Sequence, residues 1–240
     1  MIIGLSGKIG VGKNYLGEKI IGKQLYDNYD KLKINFISFG DLVKYEVGIR
    51  YDERLHDDNI DISIFNNIYK DLFIDKTKKS RKMLQLYATE HGRNGGDITI
   101  DDMTLYNNKN MWVNGVYMQI KNILEKSYDK KMEVFIICDI RFINEIEFIK
   151  KIGGNVIRIN APIRNREKII EELVKKSSNK TYLDDDVIAI QNHISETILD
   201  NYDNYDYTID NEIGNENNVN LKIKKIINEI LEKSKNNQIK

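Results

Sequence analysis

Proline occurs once in this chain, at Pro162, and cysteine once, at Cys138. A single thiol excludes a disulfide framework and points to a reducing compartment: the cytoplasm, or a host cytoplasm if the chain is viral. With one cysteine, and His56 and His91 at no ligand spacing, the sequence also argues against a zinc site. No run approaches the ~20 apolar residues of a membrane span. The apolar start Met1–Leu5 is too short for a secretory signal and runs directly into a motif. Neither sign of charge is in excess, since Lys plus Arg and Asp plus Glu both number 37. That balance argues against wholesale nucleic-acid binding, which shows itself as a basic surplus. No internal repeat stands out. What is present is 240 residues, 41% of them hydrophobic, enough for one large packed domain or two small ones.

Strand-like apolar runs lie at Ile2–Leu5, Ile34–Phe39, Val134–Cys138, Val156–Ile159 and Tyr207–Ile209. Helical spacing predicts helices over Lys13–Leu25, Leu42–Val47, Lys82–Glu90, Val113–Lys126, Glu145–Ile152, Asn165–Lys176, Ile188–Leu199 and Leu221–Leu231. Strands alternating with helices imply a mainly parallel sheet covered on both faces. The segments Asn94–Asn110, rich in Gly, Asp and Asn, and Ser177–Asp186, polar with three consecutive aspartates, read as poorly ordered or mobile. In a sheet of this kind ligands collect at the carboxyl ends of the strands. The residues just after each strand are therefore expected to share one site.

The first of those ends carries the sharpest motif. Gly7, Gly10, Gly12 and Lys13 follow the first strand in the spacing G-x-x-x-x-G-K. Glycines let the backbone curl until several N–H groups face one anion; a lysine adds charge for the outer phosphates, and the next helix presents its positive end. A flexible glycine turn would fit the first strand as well, but it gives no purpose to a lysine that opens a helix. Nucleotide phosphate is thus the expected ligand of Gly7, Lys8, Gly10, Val11, Gly12, Lys13, Asn14 and Tyr15. The residue after the lysine is commonly Ser or Thr, whose hydroxyl binds Mg²⁺. Here it is Asn14.

Other strand ends offer partners for that phosphate. Asp139 follows the apolar run VFIIC and is placed either to hold Mg²⁺ or to make a turn. Arg141 clamps a phosphate or pairs with Glu145. Arg164 and Arg166, after Pro162, either neutralise charge on a moving phosphoryl group or decorate a helix start. The stretch Arg81–Arg93 ends in a polar cluster that either reads a base or sugar or is a solvated helix end, and Trp112 and Tyr106 are candidate stacking faces. His193, Ser195 and Glu196 are too close along one helix to converge as a hydrolase triad, and no nucleophile turn flanks Ser195.

Taken together, the blocks SGKIGVGKN, ISFGDLVK, MLQLYATEHGR with MWV, DIRFINEIEFIKKIGGNVIRI and HISETILDNYDNYDYTIDN resemble the phage-type deoxynucleoside monophosphate kinases of the P-loop nucleotide kinase group. The resemblance implies an α/β P-loop NTPase-like three-layer sandwich with a mainly parallel five-stranded sheet. It implies one kinase domain over residues 1–240, with a helical acceptor-binding insertion at about 41–130 and a lid at about 160–190. It implies ATP and Mg²⁺ as cofactors, small-molecule nucleotide substrates, and neither nucleic acid nor membrane as partner; a homodimer is open. By the same resemblance Lys13, Asp139, Arg141, Arg164 and Arg166 carry the chemistry, and Asn211 lies near the adenine. Lys44, Arg81, Gln85, Thr89, Glu90, Arg93 and Trp112 line the acceptor pocket, and Asn14 and Asp139 face the metal. In that family the loop commonly reads G-K-D, and Asn14 keeps the shape of Asp without its charge. Phosphomevalonate kinases share the loop and the S-E-x-x-L-D segment, and a non-catalytic nucleotide-binding module is a further alternative. A GTP switch is not, because the NKT at Asn179–Thr181 has no aspartate at the required offset and no strand before it.

Overall fold

The computed structural model describes residues 1–51, 70, 84, 88, 98–100, 103–105, 110–128, 131–176, 188 and 190–238. In chain order its elements are β1 (Ile2–Ser6), a π-wound turn (Tyr15–Gly22) leading into α1 (Lys23–Asn28), β2 (Leu32–Ile37), α2 (Phe39–Tyr51), β3 (Ile98–Ile100), β4 (Met103–Leu105) and α3 (Met111–Glu125). There follow β5 (Met132–Ile140), α4 (Ile143–Lys151), β6 (Asn155–Asn160), α5 (Pro162–Lys176), α6 (Ile194–Thr197), β7 (Tyr207–Asp210) and α7 (Glu216–Gln238). The chain divides into two compact units, Met1–Ile37 with Leu124–Lys240, and Ser38–Ile123.

The first unit holds a five-stranded sheet in the order β2-β5-β1-β6-β7. Every pairing is parallel, and β1 lies at the centre, with Ile3 opposite Ile136 on one side and Asn155 on the other. Chain order reverses at β1, so the crevice beyond its carboxyl end is the switch point where ligands bind in such sheets. Val134–Ile137 of β5 are buried throughout, as a strand covered on both faces requires. On one face Ile3, Leu5, Ile157, Ile159 and Ile209 pack against Leu16, Ile21 and Leu25 and against the stripe Val219, Ile223, Ile226, Ile227, Ile230 and Leu231 of α7. That stripe recurs at three and four residues, the period of a helix with one apolar face. On the other face α4 covers β1. A Cβ at Gly4 would lie 2.3 Å from Ile140 Cδ1 and 3.7 Å from Ile149 Cγ1, so a side chain there would have to displace the end of Ile140.

The helix expected over Lys13–Leu25 does begin at Lys13, and it is π-wound from Tyr15 to Gly22. Its buried residues explain the winding. Leu16 and Ile21, and Gly17 and Gly22, are spaced by five, and i→i+5 winding brings residues five apart into line. Gly17 meets Cys138 and Gly22 meets Phe36, each too close for a Cβ. The helix expected over Ile188–Leu199 is interrupted. His193 is extended, and its Nδ1 accepts the N–H of Ser195 at 3.3 Å, so a separate short helix α6 starts there. In the unit Ser38–Ile123, within the polar stretch Asn94–Asn110, β3 and β4 pair antiparallel, Ile98 opposite Leu105 and Ile100 opposite Met103. The β-branched alternation Ile-Thr-Ile overrides the surrounding polar composition. In the same unit α2 runs for 13 residues rather than the short Leu42–Val47.

Candidate functional site

Four strand ends of the first unit meet at the switch point. From the end of β1 the chain turns through Gly7–Asn14, with Gly10 at φ 76° and Gly12 at φ 89°. Those left-handed angles are open to glycine without strain. Space is as restrictive as conformation: a Cβ on Gly10 would lie 2.5 Å from Lys168 Cβ, and one on Gly12 would lie 2.6 Å from Asn211 Nδ2. The loop is pinned from outside by side-chain amides. Asn165 Nδ2 donates to the Ile9 carbonyl at 2.6 Å, and Asn211 Nδ2 to the Val11 carbonyl at 2.8 Å. These two bonds fix the Ile9 and Val11 carbonyls, while the N–H of Ile9 is taken by Glu196 Oε2 at 2.7 Å.

Lys13 is the buried cation of the site, 7% exposed. Its Nζ donates to the carbonyls of Gly7 at 2.6 Å and Lys8 at 2.7 Å. Burial pushes its ammonium well below the ordinary lysine range, and the nearby guanidiniums of Arg141 and Arg158 push the same way. The carboxylates of Glu196 and Asp139 act against them. The charges brought to Lys13 therefore come from the end of β5, from β6 and from α6. Arg141 does not pair with Glu145 through its guanidinium. Glu145 instead accepts the backbone N–H groups of Arg141 at 2.7 Å and Phe142 at 3.1 Å, while the Arg141 Nη1 pairs with Glu196.

The start of α5 closes over the loop. Glu212 accepts the N–H groups of Ile163 at 2.9 Å and Arg164 at 3.3 Å, as a carboxylate at a helix start does. Arg164 Nη1 lies 3.5 Å from where a Gly12 Cβ would stand, whereas Arg166 points to an exposed face. Asn14 and Tyr15 are exposed at the first turn after the loop. A cavity of about 680 Å³ opens beside the loop, with Lys8, Val11, Arg158, Asn160, Glu196 and Asp200 in its wall.

Of the expected acceptor residues, Arg81, Gln85, Thr89, Glu90 and Arg93 lie outside the described residues. Lys44 and Trp112 belong to the other unit, Ser38–Ile123. There Lys44 pairs with Asp41. Trp112 is 3% exposed, and its indole N–H donates to the Ala88 carbonyl at 3.3 Å. That is a packing position rather than an open stacking face. Asn165 lies in the stretch Asn160–Arg166 after β6, where the strand-end rule expects site residues, whereas sequence reasoning missed Glu196, Arg158 and Glu212. Arg158 and Asn160 break the apolar run of β6 at alternate positions near its carboxyl end, a signal that could have marked them. Glu212 carries no such signal, because its role depends on which backbone groups the fold leaves beside it.

No family model matches the chain, and no curated protein matches it. Among solved structures, the shikimate kinase of Bacteroides thetaiotaomicron is similar at 12% identity and a TM-score of 0.41, over 97% of this chain and 98% of that one. That likeness is too distant to bear on what this chain does.

Proposed function

We propose that the chain transfers the γ-phosphoryl group of ATP to a deoxynucleoside monophosphate. It acts as one kinase domain, with an acceptor-binding insertion at 41–130 and a lid at 160–190. The observation that carries the reading is the buried Lys13, hydrogen-bonded to the loop after β1 and flanked by the charges of Arg141, Glu196, Asp139 and Arg158. A buried ammonium next to two guanidiniums is costly by itself, and a polyanion offsets that cost.

In this reading the loop N–H groups and the start of the following helix take phosphate oxygens. Lys13 serves the outer phosphates, and Arg141 and Arg164 balance charge as it gathers on the moving group. The acceptor phosphate is already anionic near neutral pH, so no side chain has to remove a proton. Lys44, Arg81, Gln85, Thr89, Glu90 and Arg93 align the acceptor, and Asn211 borders the adenine. Mg²⁺ commonly keeps several waters and takes one or two protein oxygens besides the substrate phosphates. The oxygens of Asn14 and Asp139 fit that sparse donor set, and no group of three or more His, Cys, Asp or Glu forms a metal cage among the described residues. The ion supplies neutralising charge when it arrives with the triphosphate.

The test is an acceptor screen of the full chain with ATP and Mg²⁺, covering the common nucleoside and deoxynucleoside monophosphates and mevalonate phosphate. ADP should form one-for-one with a deoxynucleoside diphosphate. Transfer to mevalonate phosphate alone would favour the isoprenoid kinases, and transfer to nothing would refute the kinase reading.

A further inference from the structure

Glu196 is 7% exposed, and both of its carboxylate oxygens are engaged. Oε2 accepts the N–H of Ile9 at 2.7 Å, and Oε1 accepts from Nη1 of Arg141. One turn further on, Asp200 holds Lys8 Nζ, with distances of 2.8 Å and 2.9 Å to its two oxygens. The segment 194–200 therefore grips the loop at two successive residues and reaches across to the end of β5. A buried carboxylate is tolerated only where its oxygens are satisfied, and here both partners belong to the proposed phosphate site.

Arg141 is fixed at both ends. Its backbone N–H is bound by Glu145 at 2.7 Å and one guanidinium nitrogen by Glu196. Its other guanidinium N–H groups have no protein partner among the described residues, and the side chain keeps 23% of its surface exposed. A planar fork held at one corner presents its remaining donors in a set direction, the arrangement suited to a phosphate.

We infer that Glu196 is a positioning residue that aims the Arg141 guanidinium at the phosphate group held by the loop. This rests on the phosphotransfer reading for its purpose, but not for its test. A merely structural tie between α6 and the loop would act on phosphate binding whether or not Arg141 is present. A positioning role acts only through Arg141.

The test is a cycle in the full chain: wild type, Arg141→Ala, Glu196→Gln and the double variant. Calorimetry reads the affinity for inorganic tripolyphosphate, and steady-state assays read kcat and the KM for ATP. With Arg141 present, Glu196→Gln should weaken tripolyphosphate about fivefold to tenfold, raise the KM for ATP by a similar factor and lower kcat about 10- to 100-fold. In the Arg141→Ala background the same change should shift tripolyphosphate affinity less than about twofold. Glu196→Asp should recover part of the loss, and if Glu196→Gln fails to fold, the aspartate variant runs the same cycle. Equal effects in both backgrounds, tighter binding by Glu196→Gln, or no tripolyphosphate binding by the wild type would each overturn the inference. The binding cycle needs no acceptor, so an absence of phosphotransfer would refute the kinase reading alone.

Discussion

Asn211 and Val11 are 200 positions apart, yet the side-chain amide of the first donates to the carbonyl of the second at 2.8 Å in a buried contact. One hydrogen bond thus ties the turn after the last strand to the middle of the phosphate loop. Asn211→Leu leaves the Val11 carbonyl unsatisfied, at a cost of about 1–3 kcal/mol. Urea unfolding should show that loss of stability, and ATP should bind more weakly to the folded variant. Unchanged ATP affinity would detach Asn211 from the loop's function.

Gly12 and Gly153 form a matched pair for testing the loop. Both have positive φ, 89° and 78°, but a Cβ on Gly12 would meet Asn211 at 2.6 Å, while one on Gly153 meets nothing within 4 Å. Each alanine variant bears left-handed strain of about 1–2 kcal/mol. Only Gly12→Ala should also abolish measurable ATP binding, because its methyl displaces the amide that pins the loop. Gly153→Ala should melt at a lower temperature and bind ATP normally.

Lys13→Met removes the ammonium and keeps the length of the side chain. Burial works against the charge on Lys13, but its ammonium also satisfies the Gly7 and Lys8 carbonyls, so its loss should cost about 1–3 kcal/mol of stability. Turnover should fall by about three orders of magnitude or more, the scale expected when charge stabilisation of a moving phosphoryl group is lost. A variant with near-normal turnover would remove the loop from the chemistry.

Glu133 governs part of the acid stability. Burial pushes its carboxyl up, but hydrogen bonds from Ser127 and Asn35, each at 2.6 Å, and the Lys33 ion pair at 3.1 Å outweigh that and hold it below the usual 4.5. A carboxyl depressed on folding adds stability that is complete above its unfolded pKa and is lost as pH falls through the folded one. Unfolding free energy should therefore drop below about pH 4.5, and Glu133→Gln should be less stable at pH 7 and show a shallower decline on acidification. Parallel pH profiles for the two proteins would refute this.

Cys138 should be inert. Burial, with the charges of Asp139 and Glu18, pushes its thiol up to about 12, and its Sγ lies against Gly17. Thiolate is the reactive form, so a disulfide reagent at pH 8 should label the folded protein only as fast as it unfolds. Rapid stoichiometric labelling of the native chain would contradict this placement.

How much of this was legible in the sequence depends on what each feature rests on. The five sheet strands and the loop were visible because Val134–Ile137, Ile3 and Leu5 are apolar wherever the fold buries them, and because the G-x-x-x-x-G-K spacing encodes its own geometry. The strand ends were off by a few residues, as with Phe39, which begins a helix rather than ending a strand. The break before α6 was hidden, because Ile188 to Leu199 keeps helical spacing while His193 caps from within it. Glu196 was dismissed with a false triad, since its partners Ile9 and Arg141 are remote in sequence and only the fold brings them close.

The central place of β1 has a consequence for how the protein comes into being. Its partners, around Ile136 and Asn155, lie far along the chain, and Asn211 further still. Closing such distant pairings is slow, because the entropy of long loops is lost before any contact repays it. The nest for phosphate is thus a late product of folding, assembled from segments far apart along the chain. Nucleotide added to a refolding chain then guards only molecules that have already docked their final strand, and its capture times the completion of the whole sheet.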